Sequence, residues 1–256
     1  MKKILFFSVL YFADVFAIAQ KLDGAFIITG GQHGDKILSR ADIEKQKIIK
    51  VFKNGYWICA YFGDPNQPFN GTCGGTYKTE KGKYIETIDY YSWDSTAVGK
   101  TYFYNYTLNK NSYVQDGKMQ SEKYPNYTIR EEFVKIPSNK PLKDTTMEGV
   151  WILQDATWID SSGKENSINN YQQIKIYCHP RFAYAQYNTA TKQFVGAGGG
   201  TYEYDGNKLV EHIEYTTYDN APGSDYEIKP VQLSYGLIQQ ISQQGSYKET
   251  WKRSKP

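Results

Sequence analysis

The sequence predicts an all-β protein that folds as two antiparallel β-domains in tandem. Residues 49–94 align without a gap with 174–219, at a constant offset of 125 residues. Fourteen of the 47 positions from 48 to 94 are identical, whereas about three are expected by chance at a residue frequency of ~6%. Strand-favouring aromatic residues are frequent, with 24 Tyr, 12 Phe and 5 Trp among 256 residues. Because a meander of many short strands must bury one face, each copy is expected to form a barrel or a sandwich.

The first 19 residues have the features of a signal peptide. Lys2 and Lys3 precede an apolar run at 4–18, and Ala17-Ile18-Ala19 provides a small-x-small cleavage site before Gln20. The run is shorter than the ~20 apolar residues that a membrane span requires. We therefore expect an exported protein, periplasmic or secreted, without a transmembrane span.

The repeat covers a whole domain, because the similarity extends to both ends of each copy. Residues 22–28 correspond to 147–153 at the same offset, and 128–135 correspond to 246–253 after a deletion of seven residues in the second copy. The stretch 137–146 carries two prolines and no apolar period, as expected of a linker. The predicted organisation is a signal peptide at 1–19, domains at 20–136 and 147–256, and a linker at 137–146.

Alternating or aromatic segments separated by Gly, Asn, Asp and Pro predict the strands. In the first copy they are 47–52, 56–62, 72–78, 83–91, 102–108 and 128–135. In the second copy they are 172–178, 182–187, 198–204, 209–218, 231–235 and 247–252, with Asp205-Gly206 as a hairpin turn. Two short helices are expected, at 38–47 with Ser39 as N-cap and at 237–244.

Details at the ends of each copy favour the barrel. The copies open with Gly24-x-Phe26 and Gly149-x-Trp151, and they close with strands that carry Arg130 or Lys135 and Lys252 or Arg253. In this the chain resembles the calycin superfamily, where a Gly-x-Trp on the first strand packs against a basic residue of the last strand. Through its Gly-Gly-Thr-Tyr and Glu-x-Ile-x-Tyr stretches it is also similar to small secreted bacterial lipocalin-like domains of unknown function. The resemblance implies two tandem antiparallel lipocalin-like barrels with short helical segments, each with a cavity for a small ligand.

One strand face is identical in both copies, which makes it the candidate interior face. It carries Glu86, Ile88 and Tyr90 in the first copy and Glu211, Ile213 and Tyr215 in the second. An inward carboxylate must be paired. Its partner is either a Tyr hydroxyl or a Lys or Arg of a neighbouring strand, or a ligand donor. The candidate ligand-binding residues are Trp57, Tyr77, Glu86, Tyr90, Phe182, Tyr202, Glu211 and Tyr215.

The cysteines and glycines have structural explanations. Cys59 and Cys73 are equidistant from Asn66 in the turn between two strands, so they form either a disulfide across a hairpin or a pair of buried thiols. Cys178 has no such partner and is expected to be a packing residue. The glycines at 71–75 and 196–200 lead into strands rather than a helix, so a bulge or sharp bend is expected there and not a phosphate-binding loop.

No catalytic, metal-binding or cofactor-binding signature is evident. The three histidines, His33, His179 and His212, lack ligand spacing to other His or Cys residues except for the adjacent Cys178-His179 pair. A hydrolase using Glu86 or Glu211 with Asp94 or Asp219 would need carboxylates about 26 Å apart along an extended strand to approach each other. The net charge of +3 is spread evenly, which argues against nucleic acid.

The sequence therefore predicts an exported, non-enzymatic protein. Its two barrels would bind a small, partly polar or hydrophobic ligand in a barrel cavity. The alternative is an interaction module of the cell envelope whose Tyr-rich outer faces bind protein or glycan. The identity of the ligand, the number of barrels that bind it and the oligomeric state are left open.

Overall fold

The computed structural model describes residues 22–138, 140–159, 162–167, 171–218, 222–242 and 247–255. The expected signal peptide and its cleavage site lie outside these ranges. Within them, the chain folds as two closed eight-stranded antiparallel barrels, one after the other. The all-β prediction and the tandem barrels are confirmed.

The first barrel is a meander that closes when its first strand pairs with its last. Its elements are β1 (Gly24–His33), β2 (Lys36–Ile37), α1 (Arg40–Lys45), β3 (Lys47–Lys53), β4 (Tyr56–Asp64), β5 (Gln67–Glu80), β6 (Lys83–Tyr91), a 3-10 turn (Ser95–Ala97), β7 (Thr101–Leu108), β8 (Ser112–Met119) and β9 (Tyr127–Lys135). The short β2 extends the edge of β1 and is not one of the eight barrel strands.

The second barrel repeats this plan, with closure between β10 and β18. Its strands are β10 (Gly149–Ile159), β11 (Glu165–Ser167), β12 (Gln172–Cys178), β13 (Arg181–Tyr187), β14 (Phe194–Tyr204), β15 (Leu209–Thr216), β16 (Asp225–Ser234), β17 (Leu237–Ser242) and β18 (Tyr247–Arg253). No helix among the described residues is long and apolar enough to cross a bilayer.

The two helix predictions have opposite outcomes. Helix α1 lies within the predicted segment, and the Ser39 side chain forms a capping box with Asp42. The helix expected at 237–244 is wrong, because this segment contains strand β17, paired on both sides with β16 and β18. Ile238 and Gln240 of β17 are 2% and 3% exposed, so the segment alternates like a strand with one face buried.

The two ends of each barrel differ. Leu22 and Met147 lie two residues before the first barrel strand, and both side chains are buried in the interior cluster of their barrel. At the opposite end of the first barrel, Leu38 and Ile43 from the β2–α1 segment pack against the interior cluster. The second repeat has β11 in the corresponding stretch. We call the two ends the Leu22 and Met147 ends and, opposite them, the His33 and Trp158 ends.

A β-bulge reverses the face of the shared strand. Gly75 pairs with Ile88 but Gly74 pairs with Tyr90, so Asp89 is an extra residue on β6. Ile88 remains in the interior, whereas Tyr90 packs in the contact between the barrels. The second barrel has the same shift at Gly199–Gly200, which places Tyr215 in that contact. The prediction that Tyr90 and Tyr215 line the interiors is wrong, and the predicted glycine bulge is confirmed.

The barrels contact each other through equivalent residues, as in a pseudo-two-fold pair. Tyr215 stacks on Phe62 at 4.5 Å, and the equivalent pair Tyr90 and Tyr187 stacks at 5.2 Å between ring centroids. Phe69 and its own equivalent, Phe194, stack on each other at 6.4 Å. One apolar cluster spans the two barrels around these rings. The outer faces of β3, β4, β12 and β13 are therefore core, not surface.

The charges at this contact do not follow the symmetry. Glu214, the bulge residue of β15, accepts hydrogen bonds from both Nη atoms of Arg181 and lies 3.8 Å from Lys47 Nζ. Burial alone would raise the pKa of Glu214, but these cations lower it overall. Asp89 is the equivalent of Glu214 in the first barrel, and burial raises the pKa of Asp89 to about 6. The equivalents of Arg181 and Lys47 are Tyr56 and Gln172. These two side chains carry no charge at neutral pH, so Asp89 lacks the cations that Glu214 has.

We predict that Gly200→Ala destabilises the protein by about 3 kcal/mol, because overpacking against backbone cannot relax easily. A Cβ at this position would fall onto the carbonyl oxygen of His212. Gly30→Ala is the control, since its Cβ would meet only the Glu132 side chain, at 3.4 Å. Urea unfolding monitored by circular dichroism measures both variants. Equal losses of unfolding free energy in the two variants would contradict the explanation that the bulge requires glycine at position 200.

We predict that Asp89→Asn raises the free energy of unfolding at pH 7.5 by about 1–2 kcal/mol, after a discount for partial exposure. The folded protein holds the Asp89 proton more tightly than the unfolded chain does. The contribution of Asp89 to the free energy of unfolding is therefore present near pH 4 and is lost as the pH rises through about 6. Glu214→Gln is the matched variant and should destabilise at pH 7.5. Denaturant titrations at pH 4.5 and 7.5 test this, and an Asp89→Asn effect independent of pH would contradict it.

Candidate functional site

Each barrel interior contains a lysine that is almost completely buried. Lys50 on β3 and its equivalent Lys175 on β12 are 2% and 4% exposed. Lys50 lies between Ile48 and Phe52, which both pack in the interior cluster. Because residues two apart share one face of a strand, Lys50 points inward together with Ile48 and Phe52. Its ammonium lies 4.3 Å from the centre of the Trp57 ring.

In the first barrel, Glu86 is the ionic partner of Lys50. Its carboxylate lies 3.1 Å from Lys50 Nζ and accepts a hydrogen bond from the Tyr84 hydroxyl at 2.8 Å. Lys50 also donates to Gln115 Oε1 at 3.2 Å. Glu86 therefore points inward, as predicted. Lys50 and Tyr84 supply the hydrogen-bond donors that its buried carboxylate requires.

The polar chain continues from Gln115 toward the His33 end. Gln115 Nε2 donates to Glu131 at 2.8 Å, and the other oxygen of Glu131 lies 2.9 Å from His33 Nε2. The Tyr61 hydroxyl donates to that same oxygen at 3.4 Å. The His33 side chain is 14% exposed, so this network runs from the barrel centre to a residue that solvent reaches.

The second barrel buries the equivalent residues with one link changed, because Gln240 Nε2 donates to the Tyr177 hydroxyl at 3.4 Å. Lys175 Nζ lies 3.1 Å from Glu211 and 3.4 Å from Gln240 Oε1, and the Tyr177 hydroxyl donates to Glu211. Glu249, the counterpart of Glu131, accepts hydrogen bonds from the Tyr247 hydroxyl and from Trp251 Nε1, each at 2.9 Å. The Lys, Glu, Gln and Glu set is therefore buried in both barrels. Its members are Lys50, Glu86, Gln115 and Glu131, and Lys175, Glu211, Gln240 and Glu249.

The hydroxyl that satisfies the interior glutamate comes from a different strand in each barrel. Tyr84 on β6 supplies it in the first barrel, and the equivalent of Tyr84 is Leu209. Tyr177 on β12 supplies it in the second barrel, and the equivalent of Tyr177 is Phe52. The two barrels thus meet the same requirement for a donor with exchanged residues, as expected if an unsatisfied buried carboxylate is costly.

The electrostatics favour the charged forms of Lys50, Lys175 and Glu131. Burial would lower the pKa of Lys50, but the charges of Glu86 and Glu131 outweigh this and raise it. The pKa of Lys175 is raised in the same way, against burial, by Glu211 and Glu249. Burial would raise the pKa of Glu131, but His33 and Lys50 lower it overall. Both lysines therefore carry a charge at neutral pH.

Most predicted site residues lie in the interiors. Trp57 and Tyr77 pack in the first interior cluster, and Phe182 and Tyr202 pack in the second. Sequence reasoning did not select Lys50 and Lys175, although a lysine identical in both copies and flanked by apolar residues was a usable signal. The Gln and second Glu of each network were also missed, since their partners are distant in the chain.

The motif behind the calycin resemblance is present in the second barrel. Arg253 lies over the Trp151 ring at 4.5 Å and donates to main-chain carbonyls of Thr146 and Glu148. In the first barrel Phe26 pairs with Lys135 across β1 and β9. The basic residues at these positions are therefore Arg253 and Lys135, not Lys252 and Arg130.

Cys59 and Cys73 are directly opposed on β4 and β5, as their spacing indicated, and both are buried free thiols. The Tyr77 amide donates to the Gly55 carbonyl at 2.7 Å, so the alternation along the ladder makes Cys59 and Cys73 a hydrogen-bonded pair. Such pairs hold side chains farther apart than the intervening pairs do. Cys178 packs in the contact between the barrels.

The histidines and Asp94 occupy separate places. His33 contacts Glu131, His179 contacts Ser138 and the Lys140 carbonyl, and His212 lies 2.7 Å from Asp225. Asp94 caps the 3-10 turn through the Thr96 amide, and Asp219 lies outside the described residues. Among the described residues, no three His, Cys, Asp or Glu side chains are grouped in a way that could hold a metal ion.

A surface pocket of about 310 Å³ lies at the Leu22 end of the first barrel. Its lining combines apolar side chains with the charges of Asp23, Lys110 and Lys135. The pocket is lined by Leu22, Asp23, Phe26, Leu108, Asn109, Lys110 and Lys135. None of the ligand-binding residues predicted from the sequence lines it.

These features define a class of protein: two closed eight-stranded antiparallel barrels in tandem, which fit a calycin or lipocalin-like fold. No family model and no curated protein matches the chain. Among solved structures, the chain is similar to a protein of unknown function from the DUF3598 family of Nostoc punctiforme. The identity is 10% and the TM-score 0.26, over 91% of this chain and 96% of that chain. A likeness at this level transfers no function.

We predict that Tyr177→Phe destabilises the second barrel by about 1.5–3 kcal/mol, because Glu211 loses a hydrogen bond made to a charged group. Tyr202→Phe is the matched control, since the buried Tyr202 hydroxyl has no hydrogen-bond partner among the described residues. Its effect should stay within about 0.5 kcal/mol. Chemical denaturation of the two variants provides the comparison, and a cost for Tyr202→Phe as large as that for Tyr177→Phe would refute the assignment.

Proposed function

We propose that this chain is an exported, non-enzymatic binding protein whose barrels take a small, partly polar ligand. The leader-like residues 1–19 support export, and the barrel architecture supports an interior site. Glu86 and Glu211 are engaged by lysine and tyrosine, so they act as supports of the barrel wall. The hydrolase hypothesis loses support because these carboxylates are already committed to ion pairs.

The observation that carries the proposal is the position of the second carboxylate of each network. Glu131 and Glu249 are buried at 4% and 7% exposure, yet they contact residues that are only partly buried. His33 is one of these residues and Tyr247 is the other. A few fixed polar groups at the end of an aromatic interior are typical of small-molecule sites. On this ground we assign the proposed ligand site to the His33 and Trp158 ends rather than to the surroundings of Glu86 and Glu211.

Native mass spectrometry of the exported full-length protein tests this function. We expect a small-molecule adduct that disappears when the protein is unfolded and refolded in clean buffer. The refolded protein should also melt at a lower temperature, because a ligand at 100 times its Kd stabilises by about 2.7 kcal/mol. A bare mass in every preparation, with no thermal stabilisation by small-molecule extracts of the producing cells, would rule the function out.

A second candidate is an envelope interaction module, which one surface feature favours. The hairpin of β16 and β17 exposes Val231, Leu233 and Tyr235, with Tyr235 fully exposed. Alternate apolar residues on a solvent face suit a glycan or protein contact. Co-sedimentation with isolated cell envelopes should then occur and should be abolished by combining Leu233→Ser with Tyr235→Ser. Unchanged co-sedimentation of that double variant would dismiss this candidate.

A further inference from the structure

The Leu22 end of the first barrel has a pocket that the interior networks leave unused. Its volume is about 310 Å³, which lies at the lower end of the range for small-molecule sites. Leu22 and Phe26 line it and are 1% and 3% exposed, so the pocket lies directly on the interior cluster of the barrel. Leu108, which is half-buried, adds a third apolar side chain. A molecule with a single ring or a short chain is of suitable size.

Two lysines reach this pocket from different parts of the barrel. Lys135 is the last residue of β9 and pairs with Phe26 of β1. Directly opposed residues of an antiparallel pair lie on the same face, and Phe26 points inward, so the Lys135 side chain starts on the inner face. Its long stem carries the ammonium toward solvent at the end of the barrel, where Lys135 is exposed. Lys110 comes from the turn between β7 and β8.

The ammonium groups of both lysines are available to a ligand. Among the residues that the structure describes, neither Lys110 Nζ nor Lys135 Nζ forms a hydrogen bond or an ion pair. Asp23 also lines the pocket, but its carboxylate accepts a hydrogen bond from the Asn54 amide at 3.0 Å. The lining thus has two positive charges and one negative charge. A ligand with a single negative charge would balance them.

The second barrel uses the equivalent residues differently. Arg253, the counterpart of Lys135, lies over the Trp151 ring at 4.5 Å and donates to two main-chain carbonyls. The counterpart of Lys110 is Tyr235, which brings no positive charge. The basic residue of the Met147 end is thus engaged within its own barrel, whereas the first barrel keeps two lysines at an open pocket.

We propose that the pocket binds a small organic acid, whose carboxylate lies at the ammonium groups of Lys110 and Lys135 and whose apolar part packs against the three apolar side chains. A lysine ammonium is a point charge that attracts a carboxylate without requiring a fixed orientation. The charge of Asp23 disfavours a dianion such as a phosphate monoester. The site goes beyond the function proposed above, because it lies at the opposite end of the barrel from His33.

An NMR titration of the isotope-labelled full-length protein with phenylacetate, and with its uncharged analogue phenylacetamide, tests the assignment. Phenylacetate should bind about tenfold more tightly and should shift the amide signals of Asp23 and Lys110. Combining Lys110→Met with Lys135→Met should weaken phenylacetate binding about tenfold, because both ion pairs are lost. Lys118→Met, at an exposed position of β8, is the matched control and should leave binding unchanged. Equal affinity for the two probes, no phenylacetate binding, or an equal loss in Lys118→Met would overturn the proposal.

A second variant gives the first barrel the residues of the second. Phe26→Trp combined with Lys135→Arg supplies the pair that Trp151 and Arg253 form, so phenylacetate binding should fall about tenfold while circular dichroism shows an intact fold. Unaltered binding by the folded variant would count against the site. If this variant fails to fold, Lys110→Met alone, in an exposed turn, should still weaken binding about threefold, and no change there would refute the proposal.

The titration also separates this site from the function proposed above. Amide signals that shift only around His33 would assign the acid to that end of the barrel, so the pocket assignment would fail while the ligand-binding function stands. Tighter binding of phenyl phosphate than of phenylacetate would overturn the carboxylate as the ligand group. Shifts confined to the Leu22 end, with no adduct in native mass spectrometry, would support the pocket and count against the function proposed above.

Discussion

The buried lysine–glutamate pair is the constraint on which each barrel depends. Lys50 and Glu86 lie on β3 and β6, with β4 and β5 between them in the sheet order, and Gln115 and Glu131 extend the contact to β8 and β9. An ion left alone in such an interior costs several kcal/mol. The pair therefore fixes which face of each strand points inward, and the aromatic side chains pack around it in the remaining volume. The exchange of the supporting hydroxyl between Tyr84 and Tyr177 shows that the donor is required, while its strand of origin is not.

The duplication made the architecture predictable, because two aligned copies with the same strand spacing indicate one fold formed twice, and the structure has two separate sheets. The interior placement of Glu86 and Glu211 followed from their identity in both copies. Tyr90 and Tyr215 share that identity for another reason, since they are equivalent contacts between the barrels. The bulge that separates them from the glutamates depends on cross-strand pairing, which a period of two along one strand does not reveal.

The partners of the glutamates were equally hidden. Lys50 is 36 residues from Glu86, and Gln115 is 65 residues from Lys50, so only barrel closure brings them together. Strand β17 was misread because Leu and Gln are also good helix formers. Its pairing with two neighbours overrides that preference. The polar chemistry of this chain thus arises mainly from topology, and the candidate ligand site lies where that chemistry approaches solvent.

The pseudo-two-fold contact has a consequence for how the two halves diverged. The equivalents of two contacting residues also contact each other, as Phe62–Tyr215 and Tyr187–Tyr90 do, which is the arrangement that identical subunits form. Covalent linkage replaces dependence on protein concentration by a fixed effective concentration. Because the two halves are separate stretches of one chain, equivalent positions can differ, as His33 and Trp158 do. A symmetric scaffold can thereby carry two barrel ends of different chemistry.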